Sequence, residues 1–206
     1  GRLWNLVSDL ASRFRFDLFA AAMLPARAIA GQLAELFARH GAPLVLKRDN
    51  GSNLAGEEVD ELLDVHGVIA LNSPPYYPAY NGAIEYAQRE LKARVGQLTS
   101  QGMELDEALA ESPPLLNAKS RPCLDDKSAA EVFYTGRDDF QRQFTLTKRK
   151  EIRDLIQDEA NCICARMERC GHPTQGAVRR RVVEQWLAEN GLMTVHQPLI
   201  VLPHSP

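Results

Sequence analysis

No run in this chain approaches the roughly 18 consecutive apolar residues needed to span a bilayer, so no membrane-spanning segment is expected. Cysteine is scarce. The four cysteines, three of them late at Cys162, Cys164 and Cys170, do not make an extracellular disulfide framework, and a reducing cytoplasm suits them. An excess of positive charge is missing too. With 24 Lys and Arg against 27 Asp and Glu, the net charge of −3 disfavours nucleic-acid binding over the whole surface. There is no internal repeat and no low-complexity tract. The start, Gly1 to Val7, has no secretory signal pattern and leads into a strand-like run; it begins with Gly, as a fragment of a longer product would.

What is there is an ordinary apolar fraction, 45%, and 206 residues, enough for one α/β domain and a smaller appendage. Charge is unevenly placed. Residues 104–139 are acidic, and residues 142–181 carry basic clusters at Lys148-Arg149-Lys150 and Arg179-Arg180-Arg181. Any contact with DNA phosphates is therefore expected to be local, with a solvated helix face as the plainer alternative for both clusters.

Periodicity and breakers divide the chain. Leu3–Leu10 and Phe14–Ala21 read as strands joined by a tight turn at Ala11-Ser12-Arg13. Ala26–His40 reads as a helix started by Pro25 and stopped by Gly41. Pro43–Lys47 is a short apolar strand that delivers Asp49. Asn53 is placed to cap a helix reaching His66 and stopped by Gly67, and Val68–Leu71 is a further strand. Ser73 to Pro78 carries three prolines and must be loop, after which Asn81 caps a helix from Gly82 to about Ser100. Beyond residue 103 the pattern is helical: short helices over Glu104–Leu109 and Ala129–Tyr134, then long ones over Thr147–Arg169 and Ala177–Glu189, and an extended tail from Met193 to Leu202. The order of elements is an α/β pattern, and in open α/β sheets chemistry gathers at the carboxyl ends of strands.

Asp49 stands at such an end, within Asp49-Asn50-Gly51-Ser52-Asn53. Thirty-five residues separate it from Glu85, which lies in Asn81-Gly82-Ala83-Ile84-Glu85 at the start of a helix whose dipole favours negative charge. Taken singly, Asp49 is a turn residue and Glu85 a helix-start charge. Together with their flanks, and with Glu90-Leu91-Lys92 and the segment Asp9-Leu10-Ala11-Ser12-Arg13, they resemble the catalytic core of retroviral-type integrases and bacterial transposases, the DDE phosphotransferases. The resemblance covers residues 1 to about 135; Leu116-Asn117 and Arg121-Pro122-Cys123-Leu124 follow it more loosely.

The resemblance implies a ribonuclease H-like mixed sheet flanked by helices over residues 1–135, and a mainly helical C-terminal extension over 136–206. It implies metal-dependent DNA strand cleavage and strand transfer in DNA integration, with Asp49 and Glu85 as ligands to a pair of Mg2+ or Mn2+ ions about 4 Å apart. Tyr77, Asn81, Gly82, Gln88, Arg89 and Lys92 are then expected to contact DNA. The implied partners are the element ends and target DNA, and further copies of the chain, with no membrane. The family needs a third carboxylate on its first strand. By the motif match Asp9 belongs to the second strand, so that first Asp is expected upstream of Gly1 and the chain alone is expected to be inactive; Asp9 as its replacement is the competing reading. A non-catalytic DNA-binding or assembly module from a decayed transposase, and a ribonuclease H-like nuclease, are the rival functions. The late cysteines with His172 match no common zinc spacing, and Cys123 is expected to pack.

Overall fold

The computed structural model describes residues 3–167 and 171–194. It begins with an antiparallel hairpin. Strand β1, Leu3–Asn5, pairs with β2, Phe19–Ala21, and the ladder is carried inward by the Ser8↔Arg15 bridge. Regular pairing is shorter than the apolar runs suggest. The turn draws in its own flanks, with the Asp9 N–H donating to Phe14 O at 2.8 Å and the Phe16 N–H to Val7 O at 3.0 Å.

Helix α1, Ala26–His40, and its stop at Gly41 (φ 84°) match the sequence reading. Only glycine adopts that backbone cheaply. Strand β3, Val45–Arg48, pairs in parallel with β4, Ile69–Asn72. Between them runs α2, Glu57–Val65, closed by Gly67 at φ 64°. Its cap is Gly56 rather than Asn53. Residues 51–55 close a turn of their own, in which the Leu54 and Ala55 N–H groups both reach Gly51 O, so the helix starts one turn later.

The 19-residue helix α3, Gly82–Ser100, is followed by α4, Leu105–Asn117. Helix α4 is longer than expected and continues through Pro113 and Pro114. Ser112 Oγ donates to Ala108 O at 2.6 Å in the turn ahead of the prolines. Burial of Pro113 against its neighbours outweighs the lost backbone bonds. Helix α5, Ala129–Gln143, also outruns its expected end and passes through residue 135, where the two expected regions were to meet. Its start is a capping box between Ser128 and Glu131. Helices α6, Leu146–Ala165, and α7, His172–Glu189, complete the described chain. Cys170 and most of the expected extended tail lie outside the described residues.

Alternation along β4 decides the layers. Ile69 and Leu71 face a cluster with Leu44, Phe144, Ile152, Ile156, Val178, Val182 and Val183, so α6 and α7 cover that side. Ala70 faces the other cluster, where Ile29, Leu33 and Phe37 of α1 meet Val59 and Leu63 of α2. The hairpin splits the same way. Val7 joins the α1 cluster, while Leu6 packs under α3 and α4 with Ala87, Leu91, Val95 and Leu109. Helix α1 thus underlies both sheets, helped by Asn5 Nδ2 donating to Gln32 Oε1 at 2.8 Å. The class is α/β with a helical C-terminal region, as read, but the single mixed sheet occurs as two pairs of strands, each strand with one partner among the described residues. On α6, Ile152 and Ile156 are buried while Leu155 is exposed.

Candidate active site at the carboxyl ends of the parallel strands

The end of β3 is fixed before the first candidate residue appears. Arg48 is buried, and its guanidinium donates to Asn72 Oδ1 (2.8 Å), Leu54 O (2.8 Å) and Asp60 Oδ1 (2.5 Å). One side chain therefore ties together β3, β4, the turn after Asp49 and α2. Asp49 follows, exposed, with Oδ1 accepting from the Gly51 N–H at 2.8 Å. A Cβ on Gly51 would sit 2.9 Å from that oxygen and from Asn53 Oδ1, so the turn has no room for a side chain there. Asn50 Nδ2 donates to Ser73 O at 2.8 Å.

Ser73 carries the site across to α3. Its backbone N–H extends the β3–β4 ladder to Arg48 O at 2.9 Å. Its Oγ lies 3.0 Å from Arg48 O and 2.7 Å from the Asn81 side-chain amide. One hydroxyl proton cannot serve two acceptors, so both contacts are satisfied when Ser73 donates to Arg48 and Asn81 turns its NH2 toward Ser73. Asn81 is at the N-terminus of α3 as expected, but its side chain caps no helix N–H. It is spent on Ser73. The strand end that bears Asp49 is thereby bonded to the residue four before Glu85.

Helical spacing orders the rest, at about 100° per residue. Ala87, Leu91, Val95 and Leu98 are the buried side of α3. Glu85, Gln88, Arg89 and Lys92 fall on the other side and are exposed. The Arg89 guanidinium lies 5.9 Å from the Tyr86 ring centroid. Gly82 has nothing within 4 Å of where a Cβ would stand. Tyr77 is half exposed on the loop, beside a fully exposed Tyr76 at φ 58°.

Tyr80 is held from two sides. Its hydroxyl donates to Glu184 Oε1 on α7 at 2.7 Å. Lys47 Nζ lies 3.7 Å from the Tyr80 ring centroid and donates to Tyr80 O. Burial, then the bond to Glu184, pushes the phenol well above its ordinary range, and burial lowers the Lys47 ammonium despite Glu184. Lys47, Ser73 and Glu184 were not singled out from sequence. Their partners are 33, 25 and 104 residues away, so no local pattern marks them.

No family model matches the chain. Among solved structures, it is similar to the catalytic core domain of BIV integrase, with a TM-score of 0.56 and 21% identity over 66% of this chain and 87% of that one. It is also similar to the intasome of simian T-cell lymphotropic virus, with a TM-score of 0.58 and 19% identity over 63% of this chain and 47% of that one. The fold is that of an integrase catalytic core. An uncharacterized protein of Caenorhabditis elegans is 33% identical over 70 residues; those are 34% of this chain and span 6% of that relative's length.

The other candidates sort themselves on this integrase-like core. Asp9 Oδ2 accepts from the Ser12 N–H (2.8 Å) and Ser12 Oγ (2.6 Å). It lines a cavity with Ala83, Tyr86 and Ala87, on the side of α3 turned away from Glu85. Arginines from both C-terminal basic clusters brace the interior, while Lys148 is exposed and pairs with Glu151. Arg149 donates to His66 O and Phe144 O, Arg179 to Ala70 O and Arg180 to Asn72 O. Cys123 is exposed rather than packed, and Cys162 is exposed as well. Among the described residues no helix is long and apolar enough to cross a membrane, and no group of three or more His, Cys, Asp or Glu could hold a metal ion. Asp49 and Glu85 are nonetheless hard, exposed oxygen donors of the kind Mg2+ takes together with water.

Proposed function

We propose that this chain is the core of a DNA strand-transfer enzyme, with Asp49 and Glu85 as two of the ligands for a Mg2+ or Mn2+ pair. The observation that carries the reading is the Arg48–Ser73–Asn81 connection, which joins the Asp49 turn to the first turn of α3. When bound, such ions activate the attacking water or 3′-hydroxyl and steady the leaving oxygen. The protein supplies position and charge. The exposed side of α3 presents Gln88, Arg89 and Lys92 to DNA phosphates beside Glu85, Gly82 allows close backbone approach, and Tyr77 packs on the strand at the loop.

Two carboxylates make an incomplete cage. In this reading the third is carried by a further strand pairing along the edges of β1 and β3 that have no partner among the described residues, and the enzyme works as a homo-oligomer on element ends and target DNA. The chain by itself holds the ions weakly and joins no strands. A non-catalytic DNA-binding module is the alternative that the same experiment separates.

The test is paramagnetic broadening by Mn2+ in backbone amide spectra. Broadening is expected around residues 49–51, 73 and 82–85, and is lost in Asp49→Asn and Glu85→Gln. Broadening centred elsewhere would sink the assignment. Strand transfer between oligonucleotides by this chain alone would sink the requirement for a third carboxylate. Oligonucleotide binding without any localised broadening would favour the non-catalytic module.

A further inference from the structure

Three sequence segments left idle by this chemistry converge at one place. They are Asp9 to Arg13, Leu116-Asn117 and Arg121-Pro122-Cys123. Asn117 is buried and clasps the Arg15 backbone from both sides, with Oδ1 accepting from its N–H at 2.9 Å and Nδ2 donating to its C=O at 2.7 Å. Arg15 and Arg121 are themselves buried, 2% and 8% exposed, and both guanidinium groups pair with the single carboxylate of Glu90. Each keeps a buried Nε–H with no partner among the described residues.

A cavity of about 310 Å³ opens against them, lined by Arg13, Arg15, Arg121 and Asp9 on one side. Ala83 and Ala87 give it a floor of small side chains, and Tyr86 stands at its edge. At roughly 30 Å³ per water it has room for a tetrahedral oxyanion and several waters. Arg13 is exposed and its guanidinium bonds to nothing among the described residues. The Asp9–Ser12 turn holds it at φ 63°, a conformation unusual for a side-chain-bearing residue. Three guanidinium groups face two carboxylates, Asp9 and Glu90, and Asp9 is already bonded to Ser12. Burial lowers the Arg15 guanidinium from its ordinary value; Glu90 works against that and the Arg121 charge adds to it. Buried positive charge of this kind calls for a bidentate oxyanion partner.

We infer that this cavity is a phosphate-binding subsite, on the flank of α3 opposite to Glu85. The phosphate is either one on a nucleic-acid strand or free inorganic phosphate. The first source rests on the function proposed above; the second does not.

Inorganic phosphate, added to the full chain at constant ionic strength, should raise the thermal midpoint by about 3 °C near saturation. It should do little to Arg13→Gln, a variant that loses no bond of the fold. A fluorescein-labelled single-stranded oligonucleotide, followed by anisotropy, should bind about fivefold more weakly to Arg13→Gln with a salt slope shallower by about 0.7, the contribution of one phosphate contact. Phosphate should compete with it on the unsubstituted chain. Lys92→Gln serves as the separate check on DNA binding by the exposed side of α3. If phosphate stabilises the unsubstituted chain but not Arg13→Gln, and no oligonucleotide binds, the subsite stands with free phosphate as its ligand while the DNA reading falls. If phosphate moves neither midpoint, or both equally, and Arg13→Gln binds oligonucleotide as the unsubstituted chain does, the subsite is refuted, and a loss in Lys92→Gln leaves the DNA reading intact.

Discussion

Two aspartates stand in turns at strand ends, Asp49 after β3 and Asp9 in the hairpin, and they are put to different uses. Asp49 is exposed, takes one backbone N–H on one oxygen, and belongs to a network that reaches the first turn of α3 through Ser73 and Asn81. Asp9 takes two donors from Ser12 on a single oxygen and sits beside three arginines. The first arrangement leaves a carboxylate available to a hard cation. The second uses the carboxylate to shape a turn and balance positive charge. Residue type is therefore a poor guide to which carboxylate can serve an ion; what decides is the number of donors already on it and the side of α3 it faces.

Breaking the hairpin side should cost most. Glu90→Gln leaves the buried Arg15 and Arg121 without their shared counter-charge, and a loss of about 3–5 kcal/mol is expected in urea unfolding. A loss comparable to that of an exposed ion pair, below about 1 kcal/mol, would show that the pocket is already well solvated. On the other side, Ser73→Ala removes a buried hydroxyl and strands its partners, for about 1–3 kcal/mol. It should also weaken Mn2+ broadening at residues 82–85 while sparing the phosphate response, which would sharpen the separation of the two regions. Loss of both responses together would erase it. The smallest effect concerns His40, which packs on Phe14, Phe16 and Phe133 near the hairpin. Burial, then the neighbouring Arg39, lowers its pKa below the ordinary value near 6.5. The unfolded chain then takes up the proton first, so stability is full above about pH 6.5 and declines as the pH falls from there through the lower folded value. Urea midpoints at pH 7.5 and 5.5 should differ less in His40→Gln than in the unsubstituted chain.

Much of this was legible in the sequence because it is local. The apolar period of Ala26–His40 with Pro25 and Gly41, and the run from Gly82 to Ser100, set helices whose ends the structure keeps. Asp49 and Glu85 were singled out for the same reason, since each sits in a turn or helix start with its own short signature. What failed was non-local. Asn53 and Asn81 both carry capping chemistry, but α2 starts at Gly56 and Asn81 is drawn to Ser73. The short helix read over Glu104–Leu109 stops ahead of Pro113 and Pro114, yet α4 runs through both, with Pro113 buried. Arg179 and Arg180 read as a basic face, yet both are turned inward onto carbonyls of β4 across more than a hundred residues of sequence.

The Tyr80–Glu184 bond ties the C-terminal helices to the loop that leads into α3. Lys47 holds Tyr80 from the strand side and Glu184 holds it from α7, so the loop that leads into α3 is suspended between two bodies. Whatever draws α7 outward slackens that loop, and whatever stiffens the loop returns the same free energy to α7. Coupling of this kind is reciprocal. Any contact that orders the loop before α3 is thus felt at Glu184 on α7, and the reverse holds equally.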